Sequence, residues 1–244
     1  MMTVNKAAAK FSSIFLDRKY LIARIWSNRE LKKFTDLFYG DIVNVSGWQD
    51  ADKEGRCYKD YFINSSSYTI TNYKPEAMGF QGLENEIFLD LTNKLPNELI
   101  NKFDVVFNHT VLEHIYQVNT AFKNLCLMSR DIVILIVPFL QQMHTDYGDY
   151  WRFTPLTIKR MFEENSMSLL YLSFNSHKNA SVYIFCIATK HPEKWQDKIK
   201  SQFSYVEQKK PLDGFEGYIG CHAIQNNFYV LSKIFGKLKN ILSY

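Results

Sequence analysis

The stretch Phe103-Asp-Val-Val-Phe-Asn-His-Thr-Val-Leu-Glu-His114 decides how the rest of the chain is read. From Phe103 to Phe107 it is apolar and β-branched apart from one acid, as befits a strand buried on both faces. Asn108 and His109 follow in a polar turn. Thr110 and Glu113 then have the T-x-x-E spacing of a capping box, in which Glu113 would satisfy the first backbone donors of a helix. A buried strand, a polar turn and a capped helix in succession make half of a βαβ unit, and such units build parallel sheets covered on both sides. On this reading Glu113 and His114 serve the fold. His109 lies in the turn just past the strand end, the edge at which open α/β sheets bind ligands.

Working outward, the same pattern recurs. Asp41 to Val45, Tyr68 to Tyr73, Glu86 to Leu91 and Asp131 to Phe139 are further strand candidates, the last apolar on both faces. Leu31, Phe34, Leu37 and Phe38 recur at helical spacing, which predicts a helix capped by Asn28 and closed by Gly40. A second helix is expected from Thr110 to Met128, and Thr154-Pro155 is a cap and first-turn pair for a third, reaching about Asn165. Leu169 to Phe174 and Ser181 to Thr189 complete the set as an antiparallel pair. The expected fold is therefore α/β: a Rossmann-like, doubly wound, seven-stranded, mostly parallel sheet with an antiparallel final strand. One domain over residues 1–244 is expected, with an N-terminal helical extension to about 40, a core over 41–190 and a C-terminal extension over 191–244. Asn227 to Leu242 reads as a basic helix packed on the domain or on a second subunit of a homodimer.

Composition narrows the function. The longest strongly apolar run, Ile132 to Leu140, is about half the length that crosses a bilayer. Lys10, Asp17 and Arg18 interrupt any signal core near the start, so a cytoplasmic location is expected. Cys57, Cys126, Cys186 and Cys221 lack metal or redox spacing and read as reduced, mostly buried thiols; no metal site is expected. The net charge of +4 divides into +9 on the flanks, residues 1–40 and 190–244, and −5 in the middle. A nucleic-acid enzyme would concentrate basic charge around its site, so nucleic acid is an unlikely substrate.

The segment from Phe103 to His114 resembles the fourth-strand region of class I S-adenosylmethionine-dependent methyltransferases, where an FDVV-type strand leads into a VLEH turn. His144-Thr-Asp-Tyr-Gly-Asp-Tyr-Trp-Arg-Phe-Thr-Pro155 resembles the H…DYWRFTP loop of a methyltransferase type 11-like subgroup often linked to bacterial surface-glycan biosynthesis. The resemblance covers roughly residues 35 to 190. It implies S-adenosyl-L-methionine as cofactor, with Ser46, Gly47 and Trp48 at the first strand end near its amino-acid part. Asn72 would lie at the ribose, Asp90 and Leu91 at the adenine, and Asn108 at the fourth strand end. Asn72, in place of the usual acid, accepts only through its carbonyl oxygen, and Gly47 alone remains of the usual glycines. Asp90 also reads as a turn cap.

The resemblance places the acceptor under the 144–155 loop, with His144, Tyr147, Tyr150, Trp151 and Arg152 as substrate-binding residues. His109 or His144 would remove an acceptor proton. Trp48, Tyr150 or Trp151 would stabilise the sulfonium through a ring face. Arg152 would hold an anionic group on the acceptor or pair with Asp149 or Asp146. The expected substrate is a small polar molecule such as a sugar or phosphorylated glycan precursor, methylated on oxygen. The competing class is a non-catalytic protein that keeps the fold to bind a partner. A nicotinamide oxidoreductase is disfavoured, since no G-x-G-x-x-G follows the first strand.

Overall fold

The computed structural model describes residues 21–74, 79–143, 148–175, 177, 180–199, 209–212, 215–218 and 220. Seven strands form one sheet: β1 (Gly40–Val45), β2 (Ser65–Asn72), β3 (Glu86–Phe88), β4 (Phe103–His109), β5 (Ser129–Leu140), β6 (Ser168–Phe174) and β7 (Val182–Thr189). Their order is β3-β2-β1-β4-β5-β7-β6. β1 pairs in parallel with β2 and β4, β4 with β5, and β2 with β3, whereas β7 is antiparallel to both its neighbours. The final strand, β7, is the antiparallel one as expected, and it lies inside the sheet between β5 and β6. Every residue of β7 is buried, and the half-exposed β6 takes the edge. A separate ribbon joins β8 (Lys209–Leu212) to β9 (Phe215–Tyr218).

Among the described residues the helices are α1 (Leu21–Lys32), α2 (Val118–Met128), α3 (Pro155–Glu164) and the single turn α4 (Pro192–Trp195). Strand residues alternate between two cores, as the pleat requires. Val43, Val106, Val133 and Leu135 pack with Phe122, Leu125, Ile158 and Phe162 of α2 and α3 on one face. Ile42, Val105, Phe107, Ile134 and Phe185 pack with Ala23 and Leu31 of α1 and with Tyr58, Tyr61 and Phe62 on the other. Fully burying one such side chain contributes about 1.5–3 kcal/mol, so the two cores hold the strand ends in fixed register.

Five local expectations are corrected. The first helix runs over Leu21–Lys32, not from Asn28 to Gly40. Asn28 is no cap: it is buried in the last turns of α1, donating to the Asp52 carbonyl at 2.8 Å and the Glu54 carboxylate at 2.8 Å. Gly40 opens β1 at φ +89, where a Cβ would stand 2.1 Å from an Asp104 carboxylate oxygen. β3 stops at Phe88, and the helix expected from Thr110 begins only at Val118. By contrast, Thr154 caps α3 as expected, accepting from the Thr157 amide at 3.2 Å. Cys126 and Cys186 are buried and Cys57 is exposed; Cys221 and the stretch from Asn227 to Leu242 lie outside the described residues. No helix among the described residues is long and apolar enough to cross a membrane.

Candidate functional site at the switch point

Strand order reverses between β1 and β4, so their carboxyl ends splay apart and leave a crevice. At this point β4 delivers Asn108, His109 and Thr110. Thr110 has φ +53 while its amide still bonds to the Ile136 carbonyl at 2.8 Å. A β-branched residue in the left-handed region costs about 1–3 kcal/mol, and such strain concentrates at functional sites. That conformation also explains why no helix starts here. The T-x-x-E capping box does not form, because a positive φ at Thr110 turns the chain away from helical geometry.

The side chains behind this turn form a buried polar cluster that reaches into α1. The Thr110 hydroxyl donates to the His109 carbonyl and accepts from the Arg24 guanidinium at 2.5 Å. His109 Nε2 lies 2.8 Å from the Ser27 hydroxyl and Nδ1 lies 3.2 Å from the Thr110 hydroxyl. The Ser27 hydroxyl donates to the Arg24 carbonyl at 2.8 Å and the Thr110 hydroxyl to the His109 carbonyl, so both ring nitrogens face hydroxyl oxygens and the neutral ring can donate to only one of them. Burial, reinforced by the Arg24 charge, holds His109 well below its ordinary pKa. His109 is therefore placed where the sequence put it, but both ring nitrogens already have partners within the fold.

Glu113, read from sequence as a cap, is a fully buried carboxyl in the short turn Leu112–His114. One of its oxygens has no hydrogen-bond partner. Burial, only partly offset by its own backbone amide and by Arg24 and Arg152, pushes its pKa up to about 8. Tyr58, packed 5.6 Å from the His109 ring, is likewise pushed up to about 12 by burial. Arg24, Ser27 and Tyr58 were not singled out from the sequence. The available signal was a polar stripe, Arg24, Ser27 and Asn28, in register with apolar Leu31 on one face of α1.

Around the first strand end, Ser46 and Trp48 hold φ +56 and +49. Trp48 thus adopts the backbone that a glycine would adopt freely. Its amide donates to the Asn72 side-chain oxygen at 2.7 Å, and the Asn72 side-chain nitrogen donates to Glu86 at 2.5 Å and to the Trp48 carbonyl at 3.2 Å. Asn72 is 1% exposed, so the acceptor expected to face a ribose is turned into the chain. A Cβ on Gly47 would meet the Asn44 side chain at 2.5 Å, so the glycine is needed by Asn44 itself. Asp90 binds the Thr92 amide and hydroxyl at 2.8 and 2.7 Å and the Asn93 side chain at 2.9 Å, the turn-capping use. Leu91 is buried in the core. Asn108 donates to the Val45 carbonyl at 3.0 Å and keeps its own side-chain oxygen buried without a partner.

Of the loop after β5, His144 and Tyr147 lie outside the described residues. Tyr150 and Trp151 are exposed beside Tyr116, with ring centroids 5.4 and 6.4 Å from it. The Trp151 indole donates to the Ile115 and Tyr116 carbonyls at 3.0 and 3.3 Å, which fixes the ring. Arg152 takes the pairing weighed as its structural use. It binds the Asp149 carboxylate through two nitrogens, at 2.5 and 2.7 Å, and donates to the Gln141 and Gln142 carbonyls at 3.2 Å. The Asp149 side chain is 1% exposed.

The molecule is therefore an open, doubly wound α/β protein whose polar cluster occupies the position where such sheets bind ligands. No family model and no curated protein matches the chain. Among solved structures, magnesium protoporphyrin IX methyltransferase from Synechocystis PCC 6803, with bound SAM, is similar over 68% of this chain and 79% of its own, at 10% identity and a TM-score of 0.47. The 1,6-didemethyltoxoflavin-N1-methyltransferase of Burkholderia thailandensis, with 1,6-didemethyltoxoflavin and S-adenosylhomocysteine, is similar over 76% and 89%, at 14% identity and a TM-score of 0.47. Likeness at this level carries no inference about activity.

Proposed function

We propose that the chain is an S-adenosyl-L-methionine-dependent methyltransferase, built as one domain and acting on a small polar acceptor. One observation supports this most: a strained, β-branched Thr110 at the switch point, backed by a buried cluster of Arg24, Ser27, His109 and Glu113. The fold alone tolerates no such cluster cheaply, since each buried polar group costs free energy unless it is bonded. The sequence resemblance of Phe103–His114 and of the 144–155 loop points the same way.

The expected cofactor residues fit in part. Asn108, with its unpartnered oxygen, and the β1 end at Ser46 and Gly47 would hold the amino-acid portion. Asn72 and Asp90 would serve ribose and adenine only after giving up their present bonds to Trp48, Glu86, Thr92 and Asn93. When bound, the cofactor supplies an electrophilic methyl group. The chain's own contribution is to orient an acceptor and exclude water. The fixed Trp151 ring and its neighbours Tyr116 and Tyr150 offer a rigid aromatic face beside the cluster. The proposed acceptor is a sugar or other glycan precursor, methylated on oxygen in the cytoplasm, a choice resting on the loop's resemblance. Arg152, committed to Asp149, favours a neutral acceptor over a phosphorylated one.

A non-catalytic fold is the second reading, favoured by the engagement of Asn72 with Trp48 and Glu86. Turnover separates the two. With S-adenosylmethionine and a panel of methyl glycosides, release of S-adenosylhomocysteine above the acceptor-free rate supports the enzyme; no release from any glycoside rejects the glycan acceptor.

A further inference from the structure

We propose that Glu113, and not His109, receives the proton of the acceptor's hydroxyl during methyl transfer. The inference rests on the transferase reading and names the base within that site. The geometry begins with what is free. His109 has both nitrogens engaged, with Ser27 at 2.8 Å and Thr110 at 3.2 Å, so neither is left for an acceptor, and burial beside the Arg24 cation disfavours a further proton on the ring. Glu113 keeps one carboxyl oxygen buried with no partner, the arrangement left when a site is shaped for an absent hydrogen-bonding group.

Three elements surround that carboxyl. α1 brings Arg24 within electrostatic reach. The segment after β5 brings Asp149 and Arg152, and is fastened to the Glu113 backbone carbonyl by the Tyr150 and Trp151 amides at 2.8 and 3.3 Å. On its own turn, His114 lies 3.9 Å from the other Glu113 oxygen. The same burial that drives His109 down drives Glu113 up, to about 8. Burial favours the neutral form of each group, and a carboxylate base poised near neutral pH suits proton transfer. In the step, the acceptor oxygen bonds to the methyl carbon while the carbon–sulfur bond breaks toward sulfur, which loses its positive charge. The hydroxyl proton moves to the free Glu113 oxygen and leaves to water afterwards.

The test uses the full chain and the variants Glu113→Gln, Glu113→Asp and His109→Gln. Calorimetry with S-adenosylhomocysteine comes first: absence of binding to the wild type would fail the transferase reading, whatever Glu113 does. Given binding, Glu113→Gln should keep the affinity within about two-fold yet lose roughly 100-fold or more in turnover on methyl glycosides. Glu113→Asp should recover part of that loss. A rate profile that rises toward pH 8 in the wild type should disappear with Glu113. A readout without acceptor is the carboxyl 13C resonance of glutamate-labelled protein. One signal, absent in Glu113→Gln, should titrate near 8. Turnover of Glu113→Gln within three-fold of wild type overturns the proposal. So does a Glu113 signal titrating in the ordinary carboxylate range, or a pH profile that follows His109 instead.

Discussion

Replacing Asn72 by Asp would install the acid that the family resemblance leads one to expect, and the structure forecasts a conflict. The Asn72 amide donates to Glu86 at 2.5 Å and its oxygen accepts from Trp48 at 2.7 Å. Aspartate keeps the second bond but sets two carboxylates face to face. The charge-assisted bond lost is worth about 1.5–3 kcal/mol. Two unit charges roughly 3 Å apart at an effective dielectric of about 20 repel by roughly 5 kcal/mol, an upper bound because Glu86 is partly exposed. A net cost of about 3 kcal/mol near pH 8 follows, or a fall of roughly 6–12 °C in melting temperature for a chain of this size. In the wild type, burial would raise the Glu86 pKa, but the Asn72 amide and the backbone amides of residues 81–83 outweigh it and hold Glu86 low. In the variant one carboxyl of the pair must take up a proton, so its pKa rises above the unfolded value. The penalty is therefore full at high pH and fades as pH falls through the raised value. Thermal unfolding at pH 8 and pH 5 reads this, and Glu86→Gln in the variant should restore most of the loss. An Asn72→Asp protein as stable as wild type at pH 8, or one that Glu86→Gln does not rescue, would refute the reasoning.

Three further outcomes are expected. Arg152→Ala should cost roughly 3 kcal/mol, because it removes the two-nitrogen ion pair to the buried Asp149 carboxylate, and thermal unfolding should show the loss before any ligand is added; an unchanged melting temperature would free Arg152 for a substrate role. Thr110→Ser keeps the hydroxyl while removing a β-branch at φ +53, so stability should hold, whereas Thr110→Val should lose about 1–3 kcal/mol by orphaning Arg24 and His109; equal unfolding midpoints for the two variants would contradict this. The wild type should lose stability as pH rises from about 4.5 to about 8. The reason is that Glu113 has a folded pKa above its unfolded value, so the native state binds the extra proton in that window. Glu113→Gln should remove that decline in urea titrations.

Much of the fold was legible in the sequence because strands buried on both faces need continuous apolar runs. Asp131 to Phe139 and Ser181 to Thr189 have them. Thr154-Pro155 was equally readable, since a cap acts on the next three residues. Partners distant in the chain were not readable. Asn28 has the chemistry of a cap, yet its bonds go to Asp52 and Glu54, 24 and 26 residues away. Thr110 and Glu113 have capping-box spacing, and only the positive φ of Thr110 reveals that no helix begins there. The candidate site was half legible: His109 and Asn108 follow from their place at the carboxyl end of β4. Arg24 and Ser27 meet Thr110 and His109 across more than eighty residues. Asn72 and Asp90 sit at the expected strand ends, but what they bind there depends on Trp48, Glu86, Thr92 and Asn93.

The central claim is that the crevice between β1 and β4 takes a sulfonium cofactor, with Asn108 as an unused acceptor inside it. Calorimetric titration of the wild-type chain with S-adenosylhomocysteine tests it directly. The account requires saturable binding at one site per chain, weakened by Asn108→Leu while the melting temperature of the free protein stays within a few degrees. No heat and no thermal shift at millimolar ligand would contradict it and leave the fold as a binding module.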